Sequence, residues 1–219
     1  MKIPDQWTFK SEEVAKGFDD HVREQLPWYD MATRIIAHVA RHYIPEGGTV
    51  YDIGASTGNV GNAIRDTLES RKASLTAIDN SPDMVAIYQG PGEAVTADAM
   101  EYEFQEYDFA VAFLVVMFLP VAKRKEWLHR MTSKIKPGGA LIVFDKCEQA
   151  KGYAGTVVSR LAMAEKLRNG VPAAQVLEKE LSLAGIQRPI DMIGTIPPNA
   201  TELFRFGDFA GWIIESHKP

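Results

Sequence analysis

The stretch TVYDIGASTGNVG, Thr49 to Gly61, constrains this chain more than any other. It opens as a buried strand, gives way to a polar run spaced by Gly54, Gly58 and Gly61, and continues as a helix. A strand that ends in glycines and feeds a helix gathers backbone amides and a positive helix end at the carboxyl edge of a sheet. That is the local architecture of a nucleotide-type site on an open α/β sheet.

The rest of the chain agrees with such a sheet. After two helical patterns, SEEVAKGFDDHVREQL and WYDMATRIIAHVARHYI, strands are predicted at GGTVYDIG, SLTAID, EAVTAD, YDFAVAFLVV and ALIVFDK, with helical patterns between them. Ser81 followed by Pro82 marks a helix start, and KPGG at 136–139 carries a type II turn signature. Beyond Lys146 helices are expected over 153–169 and 172–184, then two antiparallel strands around Pro189 to Ile196 and in ELFRFGDFAGWIIE. At 219 residues, 46% hydrophobic and 24% charged, the chain reads as one globular domain over 1–219. Its parts are a helical cap (1–48), a cofactor-binding core (49–146) and a helical insertion with terminal strand pair (147–219).

Several function classes lose ground on composition. A formal charge of −5 gives no global field for nucleic acid. No run approaches the ~20 apolar residues of a membrane span, nor the apolar core of a signal peptide, so a cytoplasmic protein without a membrane partner is expected. Cys147 is the single cysteine, which excludes an internal disulfide and a thiolate cluster. The histidines, His21, His38, His42, His129 and His217, form no His-Glu-x-x-His pattern. His38 and His42 stand four apart on a helix but read as solvated residues, so no metal is expected.

The loop is neither a dinucleotide fingerprint, which needs glycine where Ser56 stands, nor a phosphate loop, which needs Gly-Lys-Ser/Thr. Asp52, two residues before Gly54, would repel a pyrophosphate but suits an ammonium or sulfonium cation. Asp79 ends the second strand, where an acid can take both ribose hydroxyls, and Asp98 ends the third, where an acceptor can meet an adenine amino group. A ligand with a cationic amino acid, a ribose and an adenine is S-adenosylmethionine.

On DIGASTG, Asp79, Asp98 with Ala99, and KPGGALIVFDK, the chain resembles the class I S-adenosylmethionine-dependent methyltransferases. That resemblance implies a Rossmann-like three-layer sandwich: a mostly parallel seven-stranded sheet with an antiparallel C-terminal strand and an N-terminal helical cap. Through WTFKSEEVAKGFDDHVREQLPWY, VYDIGAS, AIDNSPDM, FLP and LFRFGDFAG it is similar to the carboxy-S-adenosylmethionine synthases, which use prephenate and serve transfer-RNA wobble modification. The implied cofactor contacts are Tyr29, Gly54, Ala55, Ser56, Asp79, Asn80, Asp98, Ala99 and Phe113. Asp52, Gly58 and Met84 complete the candidate set.

Two departures separate the chain from that family. Phe113 stands where the family has asparagine, and Glu180 stands where it grips a carboxylate with arginine. Arg160 and Arg168 are the candidate substitutes. The wrong sign at Glu180 favours ordinary S-adenosylmethionine and a methyltransferase, with the carboxylated-cofactor synthase and a non-catalytic scaffold as alternatives. The acceptor is unidentified, a small molecule or RNA, and no catalytic residue is assigned because a sulfonium needs little acid-base help. FLVVMFLP and the position of Cys147 do not match the amino- and cytosine-methylating DNA enzymes. Asp145, Lys146 and Cys147 lie on the catalytic edge. Trp7, Phe9, Phe18, Trp28 and Tyr29 are a candidate aromatic lid, and KRKEWLHRMTSKIK is a candidate phosphate-binding face. The oligomeric state is open, a homodimer included.

Overall fold

A computed structural model describes residues 3–148 and 151–216; His217 lies outside them. Seven strands form one sheet in the order β3-β2-β1-β4-β5-β7-β6. They are β1 Thr49–Ile53, β2 Ser74–Asp79, β3 Glu93–Thr96, β4 Tyr107–Phe113, β5 Ile135–Lys146, β6 Thr201–Phe206 and β7 Phe209–Glu215. β1 pairs in parallel with β2 and β4, and β4 with β5, whereas β7 runs antiparallel to both β5 and β6.

Side-chain alternation divides the core into two layers, one on each face. On one face Tyr51, Ile53, Ala110, Ala112, Leu141 and Val143 pack with Trp127, Leu128 and Met131 of α7, Arg124–Ser133. On the other, Val50, Phe109, Val111, Ile142 and Phe144 meet Ile36 and Val39 of α3, Tyr29–Tyr43. Val60 of α4, Asn59–Ala63, and Leu68 of α5, Arg65–Arg71, complete that layer. β4 is therefore apolar at nearly every position because both faces are covered.

Helices expected to be continuous are broken. Gly17, at φ −99° and ψ 3°, divides α1 Glu12–Lys16 from α2 Phe18–Gln25, and Ile64 in a similar conformation divides α4 from α5. α6 begins as expected at Pro82–Ala86, where Ser81 Oγ accepts from the Met84 amide. α8 spans Tyr153–Arg168 and α9 Ala173–Ser182.

The C-terminal pair differs from the sequence expectation. Ile190 makes one isolated bridge to Cys147, and the segment after it is a short helix, α10 Met192–Thr195. Asp191 starts that helix by accepting from the Ile193 and Gly194 amides, a side-chain cap that outcompetes strand pairing. The antiparallel pair instead forms within ELFRFGDFAGWIIE, across a two-residue loop led by Gly207 at φ +59°. KPGG lies inside β5, where it displaces the register against β4 between the 107 and 109 pairings.

The N-terminal segment closes over the carboxyl edge. The Trp7 amide donates to Ser182 O (2.9 Å), Ser182 Oγ to Pro4 O (2.6 Å), and Ser81 Oγ to Phe9 O (2.6 Å). Among the described residues no helix is long and apolar enough to cross a membrane.

Candidate cofactor and acceptor site

The glycine turn is held by β2. Gly54, at φ +69°, and Ala55 both donate to Ile78 O (2.7 and 3.0 Å), and the Ser56 amide donates to Asp79 Oδ2 (2.8 Å). Gly58, at φ +98°, donates to Ala55 O (2.9 Å). With these amides taken by the protein, the turn is no phosphate cradle. Bulk is excluded by the fold itself: a Cβ at Gly54 would overlap Val115, and one at Gly58 would meet the Gly90 backbone.

Asp52 is 1% exposed beneath the turn. Its Oδ2 accepts from the Gly61 amide (3.2 Å), while Oδ1 has no partner among the described residues. Burial pushes its pKa up to about 7, with the Asp79 carboxylate adding to the rise. Asp79 accepts from the Ser56 and Ser81 amides (2.8 and 2.9 Å). Burial raises its pKa, against those amide bonds. A carboxylate has about four acceptor positions, so roughly two remain for a diol. Asp98 accepts from the Met100 amide (2.8 Å) and stands exposed at the cavity mouth.

A cavity of about 520 Å³ runs along this edge, within the ~300–1,000 Å³ usual for small-molecule sites. Of the sequence candidates, Tyr29, Gly54, Ala55, Ser56, Asp79, Asn80, Asp98, Ala99 and Phe113 line it. Asp52, Gly58 and Met84 stand outside the wall, in the packing behind it. Trp7, Phe9, Phe18 and Tyr29 of the expected lid line the cavity, whereas Trp28 packs against Phe204 and Phe209 at ring distances of 5.4 and 4.8 Å.

Of the far end of the wall, the sequence marks Lys146, on the catalytic edge, and Glu180, and none of the other residues there. Lys146, Lys166, Lys179, His21, Gln25 and Gln187 all line it. Glu180 is there too, and Lys166 holds it at 3.0 Å, so the acid expected to repel a carboxylate is neutralised. Arg160 and Arg168 do not line the cavity; Arg168 pairs with Glu165 at the surface. Nothing local marks Lys166 or Lys179, which sit on different helices and meet only through the tertiary fold. Leu114, at φ +61°, is a second unanticipated feature: a non-glycine residue in the left-handed region on the cavity wall, where strain collects at functional sites.

The other sequence candidates resolve into structural roles. Asp145 accepts from the Val116, Met117 and Lys146 amides (2.7, 3.2 and 3.0 Å) and so fixes the connection after β4. Cys147 is buried, with burial raising its thiol pKa to about 12, so no thiolate is available. In the basic run, Arg124 is buried against the Leu119, Met117 and Arg188 carbonyls, and Arg130 binds those of Ala99 and Met100. Lys123 pairs with Glu126 and Lys136 with Asp108. A phosphate-binding face thereby loses four of its six cations. The His38 and His42 rings lie 5.1 Å apart, and no metal-ligating group of three forms among the described residues.

Residues 50–139 match a family profile described as a methyltransferase domain. The chain is 27% identical over 194 residues to a carboxy-S-adenosyl-L-methionine synthase of Staphylococcus epidermidis, covering 86% of this chain and 85% of the relative. A synthase of the same name from Yersinia pestis is 25% identical, covering 82% and 70%. Among solved structures, the human N-acetylserotonin methyltransferase in complex with S-adenosylmethionine superposes with a TM-score of 0.60 at 12% identity, over 96% of this chain. The chain spans 58% of that protein. A Methanococcus maripaludis protein described as a candidate S-adenosyl-L-methionine-dependent methyltransferase superposes at 0.56, with 16% identity, 100% of this chain and 99% of the other. The fold is that of the class I S-adenosylmethionine-dependent methyltransferases, and the two free acceptor positions of Asp79 on the cavity wall fit the ribose of an adenosine cofactor.

Proposed function

We propose that this chain is a cytoplasmic methyltransferase that transfers the methyl group of S-adenosylmethionine to a small-molecule acceptor. In this reading Asp79 and Asn80 receive the ribose, Asp98 and Ala99 the adenine, and the Gly54–Ser56 turn with Tyr29 and Phe113 frames the reacting end. The cofactor supplies a sulfonium whose methyl group is electrophilic without further activation. The chain's own residues orient and exclude water: Phe113 against Tyr29 (5.1 Å) makes an apolar wall, and the strap carrying Trp7 and Phe9 covers the edge. The partial negative charge of Asp52 beneath the turn favours a cation above it.

The observation that supports this reading best is the convergence of Asp79, Asn80, Asp98 and the glycine turn on one cavity of a methyltransferase fold. Calorimetry with S-adenosylmethionine tests it. Asp79→Ala should bind about tenfold or more weaker than wild type, since it removes a charged acceptor of two hydrogen bonds; unchanged affinity would reject the assignment. A second reading, a carboxylated-cofactor synthase, is supported by the names of the relatives and by the lysines at the far end. Mass spectrometry of the nucleoside that copurifies separates the two cofactors.

A further inference from the structure

The cationic end of the cavity lies away from the adenosine end. Asp79 and Lys146 terminate β2 and β5, which are three strand positions apart, roughly 14 Å at the usual spacing. Lys166 and Lys179 reach the same end from α8 and α9. A sulfonium nucleoside extending from Asp79 past β1 therefore ends short of these lysines, with the space for a second reactant between.

That space is built for more negative charge than the protein supplies. Lys146 is offset by Asp208 (3.8 Å) and Gln187 (3.4 Å), and Lys166 by Glu180 (3.0 Å). Lys179 has no carboxylate within ion-pair distance among the described residues; its Nζ sits over the Trp7 ring, and it is only 7% exposed. Beside it, His21 is 4% exposed and stacked on Trp7 at 5.6 Å, and Gln25 is 6% exposed. Among the described residues, neither ring nitrogen of His21 and neither amide atom of Gln25 has a partner. Buried polar groups are seldom left so, and a cluster of them on a cavity wall marks where a ligand completes the bonding. Burial lowers the Lys179 pKa to about 6, a sign that the protein alone does not compensate its charge.

We propose that the second ligand of the cavity is a small organic acid, its carboxylate received by Lys146, Lys166 and Lys179 and its apolar body held among Trp7, Phe9 and Phe118. This rests on the methyltransferase reading. The charge pattern is self-consistent, because an anion seated between the lysines and a sulfonium is attracted by both. His21 and Gln25 supply neutral donors for the remaining carboxylate lone pairs.

The test is calorimetry on the full chain saturated with S-adenosylhomocysteine, which fixes the cofactor so that any carboxylate comes from the second ligand. Phenylacetate should bind about tenfold or more tightly than its neutral isostere phenylacetamide, as charge-assisted bonds require. Lys179→Met should abolish that preference while keeping nucleoside affinity, which shows that it is folded. Glu180→Gln should shift the other way and strengthen phenylacetate binding, an effect misfolding cannot imitate. Equal binding of acid and amide, or an intact preference in Lys179→Met, would overturn the proposal. Tighter binding of phenyl phosphate than of phenylacetate would overturn the carboxylate assignment in favour of phosphate. Should wild type bind no S-adenosylhomocysteine, the methyltransferase reading fails, and acid-over-amide discrimination measured without nucleoside would still support the cationic pocket.

Discussion

Asp52 carries a tension between position and charge. It is sealed under the glycine turn with one oxygen bonded to Gly61 and the other unpaired among the described residues, and burial raises its pKa from 3.8 to about 7. A folded-state pKa above the unfolded one means that the folded protein binds more protons between those values. Its contribution to stability is thus fully present below about pH 4 and is lost as pH rises through about 7. Asp52→Asn keeps an oxygen for the Gly61 amide and removes the titration. Relative to wild type, the variant should gain melting temperature progressively from pH 4 to pH 8; a constant difference across that range would show that Asp52 is not so perturbed. The sequence alone placed an acid beside a cation here, and the structure adds why a carboxylate in that position is expensive to charge. Residue type and order were legible, but burial depends on the packing of α4 and β2 over the turn, which no local pattern records.

The connection after β4 shows what elements contribute. Strand positions were legible because buried parallel strands are nearly continuous apolar runs, and β2 and β4 begin where their apolar patterns begin. Leu114–Leu119 was not legible, since FLVVMFLP continues the apolar run past the point where the backbone turns. Leu114 takes φ +61° and donates to Phe144 O (2.7 Å), after which Asp145 collects the Val116 and Met117 amides. Arg124 holds the Met117 carbonyl from the other side (2.8 Å). A long-range polar anchor therefore overrides local strand propensity. Asp145→Ala leaves three amides without their acceptor, at a cost of about 1 kcal/mol or more each. Urea unfolding should show a loss of roughly 3 kcal/mol, with weakened nucleoside binding because Leu114 and Val115 line the cavity. A variant as stable as wild type would mean that the loop holds its shape by apolar packing. The same competition explains 189–196, where Asp191 capped a helix in a segment whose β-branched residues read as strand.

At the scale of the molecule, the cavity exists only because three distant parts of the chain meet: the strap around Trp7, the carboxyl edge of the sheet, and α8 with α9. The sheet and the strand ends that carry Asp79 and Lys146 were legible as a sequence of landmarks; the lysine cluster was not, because 166 and 179 join 146 only when the insertion folds back. Lys179 reports on that closure. It is buried against Trp7, itself tied to Ser182, and its pKa falls from 10.5 to about 6 by burial, with Lys166 adding to the fall and Glu180 opposing it. A folded-state pKa below the unfolded value gives a contribution to stability that is complete above about pH 10.5 and is lost as pH falls through about 6. At neutral pH the chain without an acid ligand must therefore fold with this lysine largely neutral, at a cost the unfolded chain does not bear, whereas a carboxylate bound beside it favours the protonated form. Lys179→Met keeps the apolar stem and removes that cost, so it should stabilise the protein at pH 7 by on the order of 1 kcal/mol or more. The gain should shrink as pH rises towards 10, where neutralising the lysine becomes cheap even in the unfolded chain. Thermal unfolding of both proteins from pH 6 to pH 10 measures this. A Lys179→Met variant less stable than wild type at pH 7 would show that the lysine is already paired in the closed cavity, and that strap and insertion are held together by its charge.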